Sequence, residues 1–216
     1  MKKMNVKMEA LEKWVKDFFE HDASGHDWAH TDRVRNHAVA IAKKEGADDD
    51  LVEKAALLHD IPDSKFHATE EAGMRYLKEG MSDLGFSPDE ITAIQGLIRT
   101  VSFKGGQNDA PDTLEGKIVQ DADRIDAIGA IGIARCFMFA GNKGDVMHDP
   151  ELSPRTSLTE ASYRKERNTA VNHFYEKLLK LKDLMHTDTS KRIAEERHAF
   201  MERYLDQFFD EWNSLK

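Results

Sequence analysis

With a single cysteine, Cys136, in 216 residues, no internal disulfide can form, and a reducing cytoplasm is the expected setting. Proline and glycine are sparse at 5 and 13 residues, while 40% of the chain is hydrophobic and 33% charged. That balance excludes a collagen-like, low-complexity or disordered chain. No apolar run approaches the roughly 20 residues that span a bilayer. The basic opening, 1–7, leads into no apolar stretch of the kind a secretory signal needs, so no membrane partner is expected. Positive charge is in the minority, 31 Lys and Arg against 40 Asp and Glu, for a net −9. No nucleic-acid partner is expected from this balance, although a local basic cluster can still hold a small anion. Alternating strand patterns, internal repeats and domain-separating linkers are missing as well.

What is present is helical periodicity. Leu11, Trp14, Val15 and Phe18 share one face of a first helix. A second is expected over about 28–44, stopped by Gly46, with Val34, Ala38, Ile41 and Ala42 inward. A third starts at Asp48 and carries Leu51, Val52, Ala55 and Leu58, and Pro62 ends it just after His59-Asp60. Ser87-Pro88-Asp89-Glu90 offers an N-cap serine, a proline at the first helical position and a capping-box glutamate. The helix it opens buries Ile91, Ile94, Leu97 or Ile98, and Val101. Residues 103–113 read as a loop, 114 to about 128 as a helix, 142–157 as a polar loop, and two long amphipathic helices cover most of the remainder. The expectation is one all-α domain over 1–216, with a metal-binding core at about 20–130 and C-terminal helices over 157–216 packing on it.

Of the ten histidines, His21, His148, His186 and His198 lie in polar surroundings and read as solvated surface groups. The informative set is His30, His59-Asp60 and Asp123. His59-Asp60 closes an otherwise apolar helix, Ala55-Ala56-Leu57-Leu58-His59-Asp60, and burying two such groups without partners is costly. A ligand role resolves the defect; a capping histidine beside a surface aspartate is the plainer alternative. Adjacent helix residues point about 100° apart, yet a cation between the two directions is in reach of both. Gly25-His26-Asp27-Trp28-Ala29-His30 places two imidazoles at i, i+4 near a helix start. Downstream, Asp121 and Asp123 point roughly 200° apart, so one cation is not expected to take both. Mixed imidazole and carboxylate ligation suits a divalent ion such as Mn, Fe, Ni, Zn, Co or Mg.

A lone His on one helix, an HD pair ending another and an Asp in an Asp-Arg-Ile segment resemble the HD-domain metal-dependent phosphohydrolases. Gly25–Val34, His59–Phe66, Ser102-Phe103-Lys104-Gly105-Gly106 and Asp121–Gly129 further resemble a bacterial single-domain subgroup that includes nucleoside triphosphate pyrophosphohydrolases. The resemblance implies that His30, His59, Asp60 and Asp123 ligate one divalent ion. It also implies that Asp63 helps position or activate water. The helix segment Ile94-Gln95-Gly96-Leu97-Ile98 supplies no extra histidine, so a single metal is favoured. Cations for the substrate phosphates are expected from His26, Arg33, Lys65 and Lys104. Asp121 and Asp126 are expected to orient histidine ligands or Arg33, and Cys136 reads as a buried small residue. Phe200, Tyr204 and Phe208 make an aromatic face for the core or for a homodimer surface.

The expected function is metal-dependent hydrolysis of nucleoside or deoxynucleoside triphosphates to monophosphate and pyrophosphate. The alternatives are a phosphomonoesterase or cyclic-nucleotide phosphodiesterase on the same site, and a catalytically silent nucleotide-sensing module. A silent relative is expected to have lost a ligand or the nearby acid, and here His30, His59, Asp60, Asp123 and Asp63 are all present.

Overall fold

The helix faces read from residue spacing are the faces the protein buries. The computed structural model describes residues 6–20, 27–101, 110–155 and 168–215. Among these the chain forms nine α-helices and one 3-10 helix, with no strand. A single isolated bridge pairs Val146 with Thr169. The fold is all-α, and no single described helix is long and apolar enough to cross a membrane. The described residues group into two compact units, one within 6–120 and one within 121–215.

In the first unit, α1 (Val6–Phe19), α2 (Trp28–Glu45), α3 (Asp49–Leu58), α4 (Glu70–Asp83) and α5 (Pro88–Ile98) enclose one core. Leu11, Val15, Phe19, Leu57, Leu58, Ile61, Leu77, Met81 and Ile94 are its buried centre. Each start has a local cause. Asp27 caps α2 by accepting from the His30 N–H at 2.7 Å. Asp48 caps α3, accepting from Asp50 and Leu51 N–H at 3.1 Å each. Ser87 and Glu90 form the expected capping box, and the Ser87 backbone N–H holds the Glu90 carboxyl down at about 2. Arg35 on α2 donates to Glu12 on α1 and to Asp32, both at 2.5 Å.

α4 is an element the periodicity analysis does not identify. Met74, Leu77 and Met81 are buried along one side, but Gly73 and Gly80 interrupt the helical signal. Both glycines stand where another group comes close: a Cβ on Gly80 would lie 2.3 Å from the Trp14 ring. α3 ends two residues early, at Leu58. His59 keeps right-handed backbone geometry, and the chain then continues in tight turns, with Ile61 N–H on Leu58 O and Asp63 N–H on Asp60 O, both at 3.1 Å.

α6 (Leu114–Asp126) buries Ile118, Val119, Ala122 and Ile125 as expected, and the boundary between the units falls after Gln120. It stops two residues short of the expected end, because Gly129 at φ 77° turns the chain into α7 (Gly129–Lys143). Among the described residues, one of the two expected long C-terminal helices is present: α9 (Asp188–Trp212). Residues 170–184 form a short α8 (Ala170–Glu176) and a 3-10 helix, Leu178–Leu184. Lys177, at φ −133°, breaks the α-helical register between them, and Leu178 and Leu181, three apart, are buried by the tighter turn.

The second unit corrects several side-chain expectations. Asp121 is fully buried and orients no histidine ligand. Its carboxylate accepts His186 N–H at 2.9 Å, Thr187 N–H at 2.9 Å and the Thr187 hydroxyl at 2.9 Å, which anchors the N-cap of α9. Asp126, also buried, accepts from Arg135 at 2.7 Å. His186 is half-buried beside Arg124, 3.2 Å away. His148 is half-buried too, with its ring edge-on to Phe208, Phe209 and Trp212 at 5.0–6.2 Å. His21 lies outside the described residues. Cys136 is buried as expected, and burial pushes its thiol up to about 12. Tyr204 and Phe208 pack against Phe137, a core role for that part of the aromatic face.

The Asp121 anchor sets a stability prediction. In Asp121→Ala, two backbone donors and a hydroxyl lose a charged acceptor inside the protein, at a cost of about 3 kcal/mol. Asp121→Asn keeps one acceptor oxygen and is expected to lose less. Urea unfolding of the two variants against the parent measures both, and an alanine variant as stable as the parent would remove Asp121 as the anchor.

Candidate metal centre

The site begins with why His59 is inside the protein. α3 is apolar on nearly every side, with Val52, Ala55, Ala56, Leu57 and Leu58 fully buried. Its next residue, His59, is therefore carried inward with the helix end. α2 lies along α3. That contact places His30, from the first turn of α2, against His59, with ring centroids 5.4 Å apart and planes at 67°.

Asp60, one residue on, turns its carboxylate between the two rings. Its Oδ2 lies 3.3 Å from His30 Nε2 and 3.5 Å from His59 Nε2. One ligand atom from each of His30, His59 and Asp60 lies within 4.8 Å of the others. The side chains of His30 and His59 are 0% and 2% exposed, against 14% for Asp60, so the cluster opens on the carboxylate side.

The His59 tautomer follows from its partner. Nδ1 lies 2.7 Å from the Ala56 carbonyl oxygen. A carbonyl can only accept, so Nδ1 carries the hydrogen, and Nε2 turns a lone pair toward the cluster in the neutral ring. A ring nitrogen–hydrogen anchored on a carbonyl while the other nitrogen faces the centre is how metal-binding imidazoles are oriented. Two imidazole nitrogens and one carboxylate oxygen supply three of the four to six donors of a borderline divalent cation. The donor set fits such an ion by its own chemistry.

The remaining sequence-identified residues are placed as follows. Asp123 is half-buried on α6, in the part of that helix that belongs to the second unit. Asp63 is half-buried just past Pro62, and its Oδ1 accepts the Lys65 N–H at 2.8 Å, closing an Asx turn. Lys65 is exposed, and Arg33 is half-buried one turn beyond His30 on α2. His26 and Lys104 lie outside the described residues. Sequence reasoning missed the Asp27 cap, whose signal was an aspartate directly before an apolar helical run. It also missed the bond from His67 Nε2 to the Ile61 carbonyl, 2.8 Å long, for which the sequence carries no signal.

A family model for the HD domain matches residues 27–128. The Bacillus subtilis protein YpgQ is 40% identical over 201 residues, 92% of this chain and 90% of YpgQ. This chain belongs to the HD superfamily. An HD-superfamily hydrolase from Bacillus thuringiensis is 42% identical, with TM-score 0.74 over 96% of this chain and 97% of that one. A crystal structure from Lactobacillus plantarum matches with TM-score 0.86 at 40% identity, over 98% and 99% of the two chains. YpgQ has been solved in complex with ADP, and that structure matches with TM-score 0.75 at 38% identity, over 94% of this chain and 96% of YpgQ. The protein is a metal-dependent phosphohydrolase of the HD type. HD domains bind a divalent metal, and His30, His59 and Asp60 are the group among the described residues that can hold one.

Removing a donor tests that placement. Asp60→Ala is expected to lower divalent-ion content after dialysis at least about tenfold, a floor taken from the loss of groups that merely support ligands. Elemental analysis of parent and variant, matched by circular dichroism, reads it. Equal content in the two would put the ion elsewhere.

Proposed function

We propose that this HD protein hydrolyses nucleoside triphosphates, deoxynucleoside triphosphates included, to the monophosphate and pyrophosphate. One divalent ion, of Mn, Mg, Ni, Co, Fe or Zn, is assigned to His30, His59, Asp60 and Asp123. The observation that carries the reading is the convergence of two buried imidazoles on one carboxylate oxygen at 3.3 and 3.5 Å. The nucleotide part is supported by YpgQ, a relative over nearly the whole chain, whose crystal structure holds ADP. When bound, the ion lowers the pKa of a coordinated water and neutralises charge on a phosphoryl oxygen.

The chain's own residues supply the rest. Asp63 serves as the base: its carboxylate holds the attacking water by a hydrogen bond and takes its proton. The Asx turn through Oδ1 and the Lys65 N–H restricts where that carboxylate can point, so turn and chemistry are compatible roles. Arg33 and Lys65, with His26 and Lys104, hold the substrate phosphates. Charge on a polyphosphate grows at the oxygens as the bond to the leaving group opens, and fixed cations there stabilise it without reorganising. The site takes the substrate from a reducing cytoplasm and needs neither nucleic acid nor membrane; whether a homodimer forms does not enter the reading.

Two measurements test this. Incubating Mn2+-loaded protein with a panel of ribo- and deoxyribonucleoside triphosphates and resolving the products by phosphorus NMR is expected to show pyrophosphate with the monophosphate. Orthophosphate from a phosphomonoester, opening of a cyclic nucleotide, or no turnover at all would each replace the reading.

Asp63→Asn keeps an oxygen to accept the Lys65 N–H but removes the basic carboxylate. It is expected to bind metal and nucleotide as the parent does and to lose at least about tenfold in kcat, the low end of general-base effects. A variant that turns over like the parent but melts lower would leave Asp63 as a turn residue alone.

A further inference from the structure

His67 lies in the segment between the HD turn and α4, and it is employed on three sides. Its Nε2 is 2.8 Å from the Ile61 carbonyl oxygen, so that nitrogen carries the hydrogen and donates. Its ring stacks on Phe18 at 6.0 Å and 23°, and meets Tyr76 at 5.3 Å and 43°. α4 reaches the same place through Gly73, where an added Cβ would stand 2.4 Å from the Pro62 oxygen and 2.8 Å from His67 Cδ2. Backbone and ring thus close on Ile61-Pro62, the two residues that follow Asp60.

This matters because Asp60 lies where the chain has just left its helix. Past Leu58 the helical ladder stops, and two 3.1 Å bonds, Ile61 N–H to Leu58 O and Asp63 N–H to Asp60 O, hold the backbone that aims the Asp60 carboxylate. The Ile61 side chain is fixed in the core, so losing the carbonyl's partner would release the Ile61-Pro62 peptide plane. The carboxylate would then leave the two imidazoles, since a displacement of about 1 Å is enough to degrade a designed or natural site.

We infer that His67 is a positioning residue for the metal pair. Its Nε2–H fixes the Ile61 carbonyl, and Phe18, Tyr76 and Gly73 hold the ring that does so. This rests on the reading of His59 and Asp60 as metal ligands and adds to it a residue from outside the ligand set.

His67→Phe keeps an aromatic ring in the stack and deletes the donor, while His67→Gln places an amide donor near the position of Nε2. Three readouts separate the roles: the melting temperature, the Mn2+ dissociation constant by calorimetry, and amide hydrogen exchange at Ile61 and Asp63 without metal. The phenylalanine variant is expected to melt within a few degrees of the parent. It should bind Mn2+ about 10–100-fold more weakly, the range for groups that support metal ligands, and exchange faster at both amides. The glutamine variant is expected to recover most of both losses.

Unchanged affinity and exchange in the phenylalanine variant would overturn the inference, as would equal losses in the two variants. A parent that binds Mn2+ no better than its His59→Ala variant would remove the metal reading instead. The exchange rates, which need no metal, would then still decide whether His67 holds the turn.

Discussion

One carboxylate oxygen shared by two buried imidazoles is the arrangement on which the rest of the first unit depends. Asp60 Oδ2 stands 3.3 Å from His30 and 3.5 Å from His59, and those two rings are nearly sealed from solvent. Polar groups in such surroundings are costly unless each has a partner. The backbone meets that demand for one nitrogen of His59: the Ala56 carbonyl takes its Nδ1 hydrogen and fixes which nitrogen faces the cluster. That bond requires His59 to stay in helical geometry for one residue beyond α3, which it does at φ −59°, ψ −34°. The packing of α2 along α3 in turn brings His30 to within ring contact of His59.

Much of this was legible in the residues. The buried faces of α1, α2, α3 and α5 follow from apolar spacing, and the capping box at Ser87 and Glu90 from four consecutive letters. The HD pair stood out because two polar groups end a helix that is otherwise apolar, which is a question about desolvation and needs no coordinates. What stayed hidden has a common cause: it depends on which distant group a side chain meets. Asp121 looked like one more carboxylate near the ligands. Its true partners, the His186 and Thr187 amides, lie 65 and 66 residues away.

α4 was concealed for a related reason. Its two glycines weaken helix propensity by about 1 kcal/mol each relative to alanine, and local reasoning counts them as interruptions. In the folded protein they are clearances, Gly80 for the Trp14 ring and Gly73 for the Pro62 backbone. The helix is therefore stabilised by what it packs against, with Met74, Leu77 and Met81 in the core, at the expense of its own intrinsic preference. His148 illustrates the reverse error. A polar loop implied a solvated ring, whereas three aromatic side chains of α9 surround it.

The net charge of −9 raises a question for any polyphosphate substrate, which carries several negative charges of its own. At physiological ionic strength the screening length is about 8 Å, so most of the surface acids are screened from an anion bound at the HD pair. The groups within that distance decide. On α2, Arg35 is committed to Glu12 and Asp32 and packs over Trp28 at 6.0 Å. Arg33, three residues past His30, is on the ligand's side of the helix, since residues three apart share a face. Under the proposed function, the same helix gives Arg35 to structure and Arg33 to the substrate phosphates. An acidic protein can then bind an acidic substrate, because local placement of cations outweighs the sum of charge over the surface.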